Sequence, residues 1–135
     1  LARQYRYKIV SNDLQGTEAK TLRLAEQLLK EGHSIIVDNT NGRPTQRAKV
    51  LDLARKYQIP VRGSIVKIPE DLNKHLNVVR EILTQKHIPE VALRTFDKYY
   101  VEPSLEEGFS ELIKTGFSFD PDRDPEFTRL YRLRF

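Results

Sequence analysis

The chain has 135 residues, of which 39% are hydrophobic and 31% charged, and carries a net charge of +4. Those proportions describe one globular domain rather than a disordered or fibrous chain. No apolar run approaches the roughly 20 residues a membrane helix needs, and with no cysteine disulfides and thiolate metal sites are excluded.

Residues 7–10 read as a strand ending at Ser11-Asn12-Asp13. Thr17 caps a helix through Lys30, with Leu22, Ala25, Leu28 and Leu29 on one stripe and Gly32 as its stop. Ser34-Ile35-Ile36-Val37 is a short β-branched run that passes directly into Asp38-Asn39-Thr40-Asn41, the pattern of a buried strand and the loop at its carboxyl end. Pro44 suits the first turn of a helix to about residue 58, with Val50, Leu51, Ala54 and Tyr57 facing inward and Arg47 near the N-terminal end. Beyond Pro60, residues 61–67 read as a third strand. Three strands separated by two helices imply right-handed crossovers and a parallel sheet.

After Ile68-Pro69 the spacing predicts a helix over 69–83, with Leu72, Leu76, Val79 and Leu83 on one side and Arg80 and Glu81 toward its end. A polar link over 84–89, a helix over 89–100, a turn over 104–109 and a strand over 111–114 follow. Residues 120–126, acidic and proline-punctuated, read as a surface loop, and the apolar–basic alternation of 130–135 predicts a terminal strand. No repeat or linker divides the chain, so residues 1–135 read as a single α/β domain.

In open α/β sheets ligands bind beyond the carboxyl ends of the strands. Asp13 and Asp38 end neighbouring predicted strands and are expected at one edge. One carboxylate of such a pair can take the proton of an attacking hydroxyl while the other orients a magnesium ion. Arg47 and Arg80 are candidates for neutralising charge on a transferring phosphoryl group. A solvated turn rich in Asp, Asn and Thr is the plainer reading of residues 38–41. His33, His75 and His87 lack metal-ligand spacing. Between Arg43 and Lys67 seven basic residues face the single acid Asp52. Such a stretch reads as a face for a polyanion such as nucleic acid, or as an ordinary solvated helix face.

A resemblance runs through these positions in order. Leu29-Lys30-Glu31-Gly32-His33-Ser34-Ile35-Ile36-Val37-Asp38-Asn39-Thr40-Asn41, Arg47 with the helix after it, and Gln58-Ile59-Pro60-Val61-Arg62 carry its first part. His75-Leu76-Asn77 with Arg80, Ile88-Pro89, and Glu102-Pro103-Ser104-Leu105-Glu106-Glu107-Gly108-Phe109 continue it, and Asp13 with Gly16-Thr17 fits the same pattern. Together these resemble the kinase domain of the polynucleotide kinase/phosphatase family, over nearly the whole chain.

The resemblance implies a P-loop kinase-like fold, a three-layer parallel sheet with flanking helices. It implies ATP-dependent phosphorylation of a 5′-hydroxyl end of DNA or RNA in end repair, with ATP and Mg2+ as cofactors. By the match Asp13 is the general base, and Asp38 lies at the magnesium and phosphate edge as metal ligand. Asn12, Thr40 and Arg47 contact the acceptor strand, Arg80 is a lid arginine over the ATP phosphates, and the Glu102 to Phe109 segment is a packing signature. Partners implied are a nucleic acid with a 5′-hydroxyl end, ATP, and a repair complex or ribonucleoprotein, with no membrane. The expected residence is nuclear, with mitochondrial as the alternative.

Two departures stand out. No G-x-x-x-x-G-K-[ST] loop is present, and its expected place is immediately before Leu1, so the loop and the fold's first strand are expected to be missing from the chain, which alone is then expected to be inactive. The absence of methionine and the start at Leu1-Ala2-Arg3 fit a processed, trimmed or incompletely represented polypeptide. Asn12, Leu14 and Val78 also stand where many relatives carry other residues. The alternative expectation is a catalytically inactive kinase-fold subunit that binds nucleic acid or a ribonucleoprotein.

Overall fold

A computed structural model describes residues 6–133. The elements in chain order are β1 (Lys8–Val10), the short helical turn α1 (Asn12–Gln15), α2 (Glu18–Lys30), β2 (Ile35–Val37), α3 (Pro44–Lys56), β3 (Arg62–Val66), α4 (Glu70–Thr84), α5 (Glu90–Tyr99), a 3-10 turn (Leu105–Glu107), β4 (Glu111–Thr115) and α6 (Pro125–Arg132). The backbone groups into two compact units, Leu1–Arg62 with Val101–Glu111, and Gly63–Tyr100 with Leu112–Phe135.

In the first unit β1 and β2 pair in parallel, Lys8 opposite Ile35, Ile9 opposite Ile36 and Val10 opposite Val37. Parallel neighbours need a crossover, and α2 provides it. Thr17 Oγ1 accepts the Lys20 N–H at 3.2 Å, satisfying one of the donors left over at the helix start. At the other end the His33 N–H reaches the Leu28 carbonyl and the Gly32 N–H the Leu29 carbonyl. That pair of bonds is a Schellman closure, and it requires the left-handed conformation (φ 81°) that Gly32 adopts. Pro44 opens α3 where its missing N–H costs nothing, and Gln46 reaches back to the Arg43 N–H at 3.2 Å. Val10, Ala25, Leu51 and Ala54 form the buried core of this unit.

In the second unit β3 pairs with β4, the Lys67 N–H bonding the Thr115 carbonyl at 2.9 Å. Val79 on α4 is wholly buried, with Ile65 and Leu130 nearly so. Phe119, Phe127 and Tyr131 pack ring against ring, the centroids of Phe119 and Tyr131 4.6 Å apart. His75 lies edge-on to Tyr131.

Two expectations are corrected. Among the described residues β1 pairs with β2 and β3 with β4, as two two-stranded sheets, in place of the expected parallel sheet through the first three strands. Apolar runs identify strands, whereas the choice of partner is decided by packing far along the chain. The expected terminal strand over 130–135 is instead helix α6 over its described part, residues 134–135 lying outside the described residues. Asp124 caps it by accepting the Phe127 N–H at 2.9 Å, and Pro125 takes the first turn. Phe127, Leu130 and Tyr131 recur at helical spacing, and burying them together outweighs the period-2 alternation.

Candidate active site

The strand ends are level, Val10 opposite Val37, and the Asp38 N–H donates to the Val10 carbonyl at 2.9 Å. The chain leaves β1 through Ser11, a buried residue whose Oγ accepts the Leu14 N–H at 3.2 Å and whose N–H donates to Gln15 Oε1 at 2.7 Å. Gly16, at φ 84°, closes this turn through its N–H to the Asn12 carbonyl. Asp13 therefore sits in the first turn of α1, on a backbone fixed at both ends.

The two loops are stitched directly, the Asn12 N–H donating to Asn39 Oδ1 at 2.8 Å. Asn12 thus contributes its backbone to the join. Asp13 and Asp38 are both exposed, and among the described residues neither carboxylate has a hydrogen-bonded or ion-paired partner. Carboxylates on adjoining loops that the fold does not use internally keep their lone pairs for a proton, a cation or a substrate hydroxyl. Thr40 is exposed and, with Asn12, Thr21, Val37, Asn39 and Lys49, lines a shallow cleft beyond the end of β2.

Arg47, expected to contact the acceptor strand, is held within the fold by its own hydrogen bonds. It is only 4% exposed. Nε and Nη2 donate to the two carboxylate oxygens of Glu107 at 2.8 and 2.7 Å, and Nη1 donates to the Asn41 carbonyl at 2.9 Å. A buried guanidinium must be paired and fully bonded to stay ionised in place, and all three of its nitrogens are engaged. Through these bonds Arg47 ties the end of the loop carrying Asp38 to the segment carrying Glu107.

Glu107 entered the sequence reading only as part of the Glu102 to Phe109 packing segment, with no role of its own. Its carboxyl is held below the usual carboxylate range, first by the Arg47 bonds and further by the Ser104 N–H, against the opposing effect of burial. The spacing Ser104 to Glu107 is the signature of a capped turn. That local role is real, and it hides the second partner sixty residues away in sequence.

The basic stretch also reads differently in space. Lys49 pairs with Glu18, Arg55 with Asp52, Lys56 with Glu26 and Arg62 with Glu111. Glu26 additionally accepts from the Tyr57 hydroxyl at 2.6 Å, and its pKa is lowered to about 2 by the Lys56 bond first and the Tyr57 bond second. With Arg47 on Glu107, at least five of the seven basic side chains are matched by carboxylates among the described residues, and four of those five carboxylates come from outside the stretch. A one-dimensional excess is thus not an equal excess on the surface.

Arg80 lies in the second unit, exposed on α4 beside the buried Val79, and among the described residues its guanidinium has no ion-pair partner. No cluster of three or more His, Asp or Glu suited to a metal ion occurs among the described residues. Magnesium does not need one: it keeps several waters and takes one or two carboxylates with substrate phosphates. The open Asp38 carboxylate suits that donor set.

Comparison with known proteins bears on this arrangement. Residues 2–103 match the AAA domain family. The chain is 32% identical over 126 residues to a bifunctional polynucleotide phosphatase/kinase of Schizosaccharomyces pombe, covering 93% of this chain and 31% of that protein. It is 34% identical over 131 residues to a putative bifunctional polynucleotide phosphatase/kinase of Acanthamoeba polyphaga mimivirus, again covering 93% of this chain and 31% of the other. The chain thus spans about a third of the length of the curated relatives it matches.

Proposed function

Because the chain belongs to the AAA domain family, of P-loop kinase-like fold, we propose that it is part of an ATP-dependent polynucleotide 5′-hydroxyl kinase acting in nucleic-acid end repair. The observation that carries this reading is the pair of exposed, uncommitted carboxylates, Asp13 and Asp38, on loops that leave level parallel strands and are joined by the Asn12–Asn39 bond. The names of the two relatives support the choice of a polynucleotide as substrate.

In this reading Asp13 takes the proton from the terminal 5′-hydroxyl as its oxygen attacks the γ-phosphorus of ATP. The new O–P bond replaces the bond to the β,γ-bridging oxygen, and ADP leaves. Asp38 supplies a carboxylate to Mg2+, which when bound neutralises phosphate charge. Thr40 and the amide side chains around the cleft offer hydrogen bonds to the end of the acceptor strand. Arg80 supplies positive charge to the ATP phosphates. Arg47 supports the Asp38 loop from below.

The test is transfer of labelled phosphate from ATP to a 5′-hydroxyl oligonucleotide by the complete protein of which this chain is proposed to be part, with Asp13→Ala and Asp38→Ala alongside. Transfer lost in both variants supports the reading. Transfer that persists at the wild-type rate in Asp13→Ala removes the general base. A complete wild-type protein that binds oligonucleotide without transferring phosphate belongs instead with nucleic-acid-binding subunits of the kinase fold.

A further inference from the structure

We propose that Glu107 is a positioning residue for the Asp38 loop, acting through Arg47 on the carbonyl of Asn41. This rests on the role given above to Asp38. The loop is fixed at its start by the Asp38 N–H on Val10 and at its second residue by Asn39 on the Asn12 N–H. Its far end has different supports. The Asn41 carbonyl accepts from Arg47, and the next carbonyl, of Gly42, accepts the Val101 N–H at 2.9 Å.

Both far-end supports trace to one segment, Val101–Glu111, directly in one case and through Glu107 in the other. At that end Asn41 adopts φ 45°, the left-handed region that asparagine enters more readily than most residues with a side chain, and these bonds fix the turn there. Such a conformation persists where surrounding contacts over-determine it. Glu107 is itself preset: Oε1 also accepts the Ser104 N–H at 3.1 Å, and Gly108, at φ 114°, closes the turn through its N–H to Leu105. Two fixed carboxylate oxygens orient the planar fork of Arg47, and that orientation aims Nη1 at Asn41. Remove one oxygen and the buried cation loses half of its fork, leaving the third bond no fixed direction. The segment that reads as a packing signature in sequence is, in space, the brace of the loop bearing Asp38.

The experiment compares the full chain with Glu107→Gln, Glu107→Asp and the double variant R47E/E107R. Glu107→Gln keeps the shape and gives the fork one acceptor oxygen instead of two. Exchange of the Asp38 and Val101 amides is expected to quicken about tenfold or more, while the Thr21 amide, inside α2, keeps its wild-type rate. Phosphate transfer is expected to fall in kcat with the KM for ATP held. R47E/E107R re-forms an ion pair and recovers stability, but it offers no donor at position 47 to Asn41, so Asp38 exchange stays fast. The proposal is overturned if the Asp38 amide of Glu107→Gln exchanges at the wild-type rate, or if the double variant restores protection together with stability. Should Glu107→Gln not fold, Glu107→Asp, with its charge kept and its reach shortened, gives the same reading at the same amides. A complete wild-type protein without transfer activity overturns the kinase assignment, while the exchange rates still decide the brace.

Discussion

Arg47 and Glu107, sixty positions apart, meet through a two-bond fork whose N···O distances are 2.8 and 2.7 Å, and the third nitrogen of Arg47 continues to the Asn41 carbonyl at 2.9 Å. Truncating one member of a buried pair strands the other's charge, which costs about 3–5 kcal/mol. Arg47→Ala is therefore expected to lower the urea midpoint by a corresponding amount. Arg47→Lys keeps the charge but forms no fork, and falls between the wild type and Arg47→Ala. Equal midpoints for Arg47→Ala and the wild type would remove the pair's structural role.

Acid should loosen the first unit. Glu26 titrates at about 2 and Glu107 is also lowered, so the unfolded chain binds more protons than the folded one as pH falls through the ordinary carboxylate range. The stabilisation from these groups is complete above the unfolded value of roughly 4.3 and is lost progressively as pH drops toward the folded values. Urea midpoints measured from pH 6 down to pH 3 should decline, and Glu26→Gln and Glu107→Gln should each flatten the decline. A slope unchanged in both variants contradicts the assignment.

Asp13→Ala and Asp38→Ala should separate activity from stability. Both side chains are exposed and unpartnered among the described residues, so each change should move stability by no more than about 0.5 kcal/mol. Removing a general base should lower kcat by a factor of about 10²–10⁴. Thermal melts and transfer kinetics on the same preparations check both halves, and loss of activity accompanied by a collapsed melt would leave the base assignment without support.

Asn39→Ala removes the acceptor for the Asn12 N–H. The expected cost is about 0.5–1.5 kcal/mol, with faster exchange at the Asn12 amide. Asn39→Asp keeps the acceptor oxygen and should retain that protection. An Asn12 amide that exchanges equally fast in all three proteins would show that the loops are held together by something else.

The first unit was largely legible because its signals are local. Thr17 as cap, Gly32 as stop and Pro44 as first-turn residue each act on backbone groups within a few positions. The strand Ile35–Val37 and the loop after it lie where β-branched residues give way to Asp38-Asn39-Thr40-Asn41. Less legible were relationships that join distant positions. The burial of Arg47 depends on Glu107, and the pairing of β3 depends on β4 rather than on β2. At the C-terminal end two periods competed, and the spacing of Phe127, Leu130 and Tyr131 decided for a helix where the alternation after Leu130 suggested a strand.

The carboxylates interleaved with the basic stretch set how any polyanion must approach this face. A phosphate arriving at Lys49, Arg55, Lys56 or Arg62 displaces Glu18, Asp52, Glu26 or Glu111 from an existing pair, so association becomes a swap of anions. Each swapped cation releases fewer condensed counterions than a bare one. The logarithm of the binding constant should then fall less steeply with the logarithm of salt than the roughly −0.7 per contacted phosphate expected for a single strand meeting free cations. Held in matched pairs, these lysines and arginines make each contact with a polyanion conditional on breaking an existing ion pair.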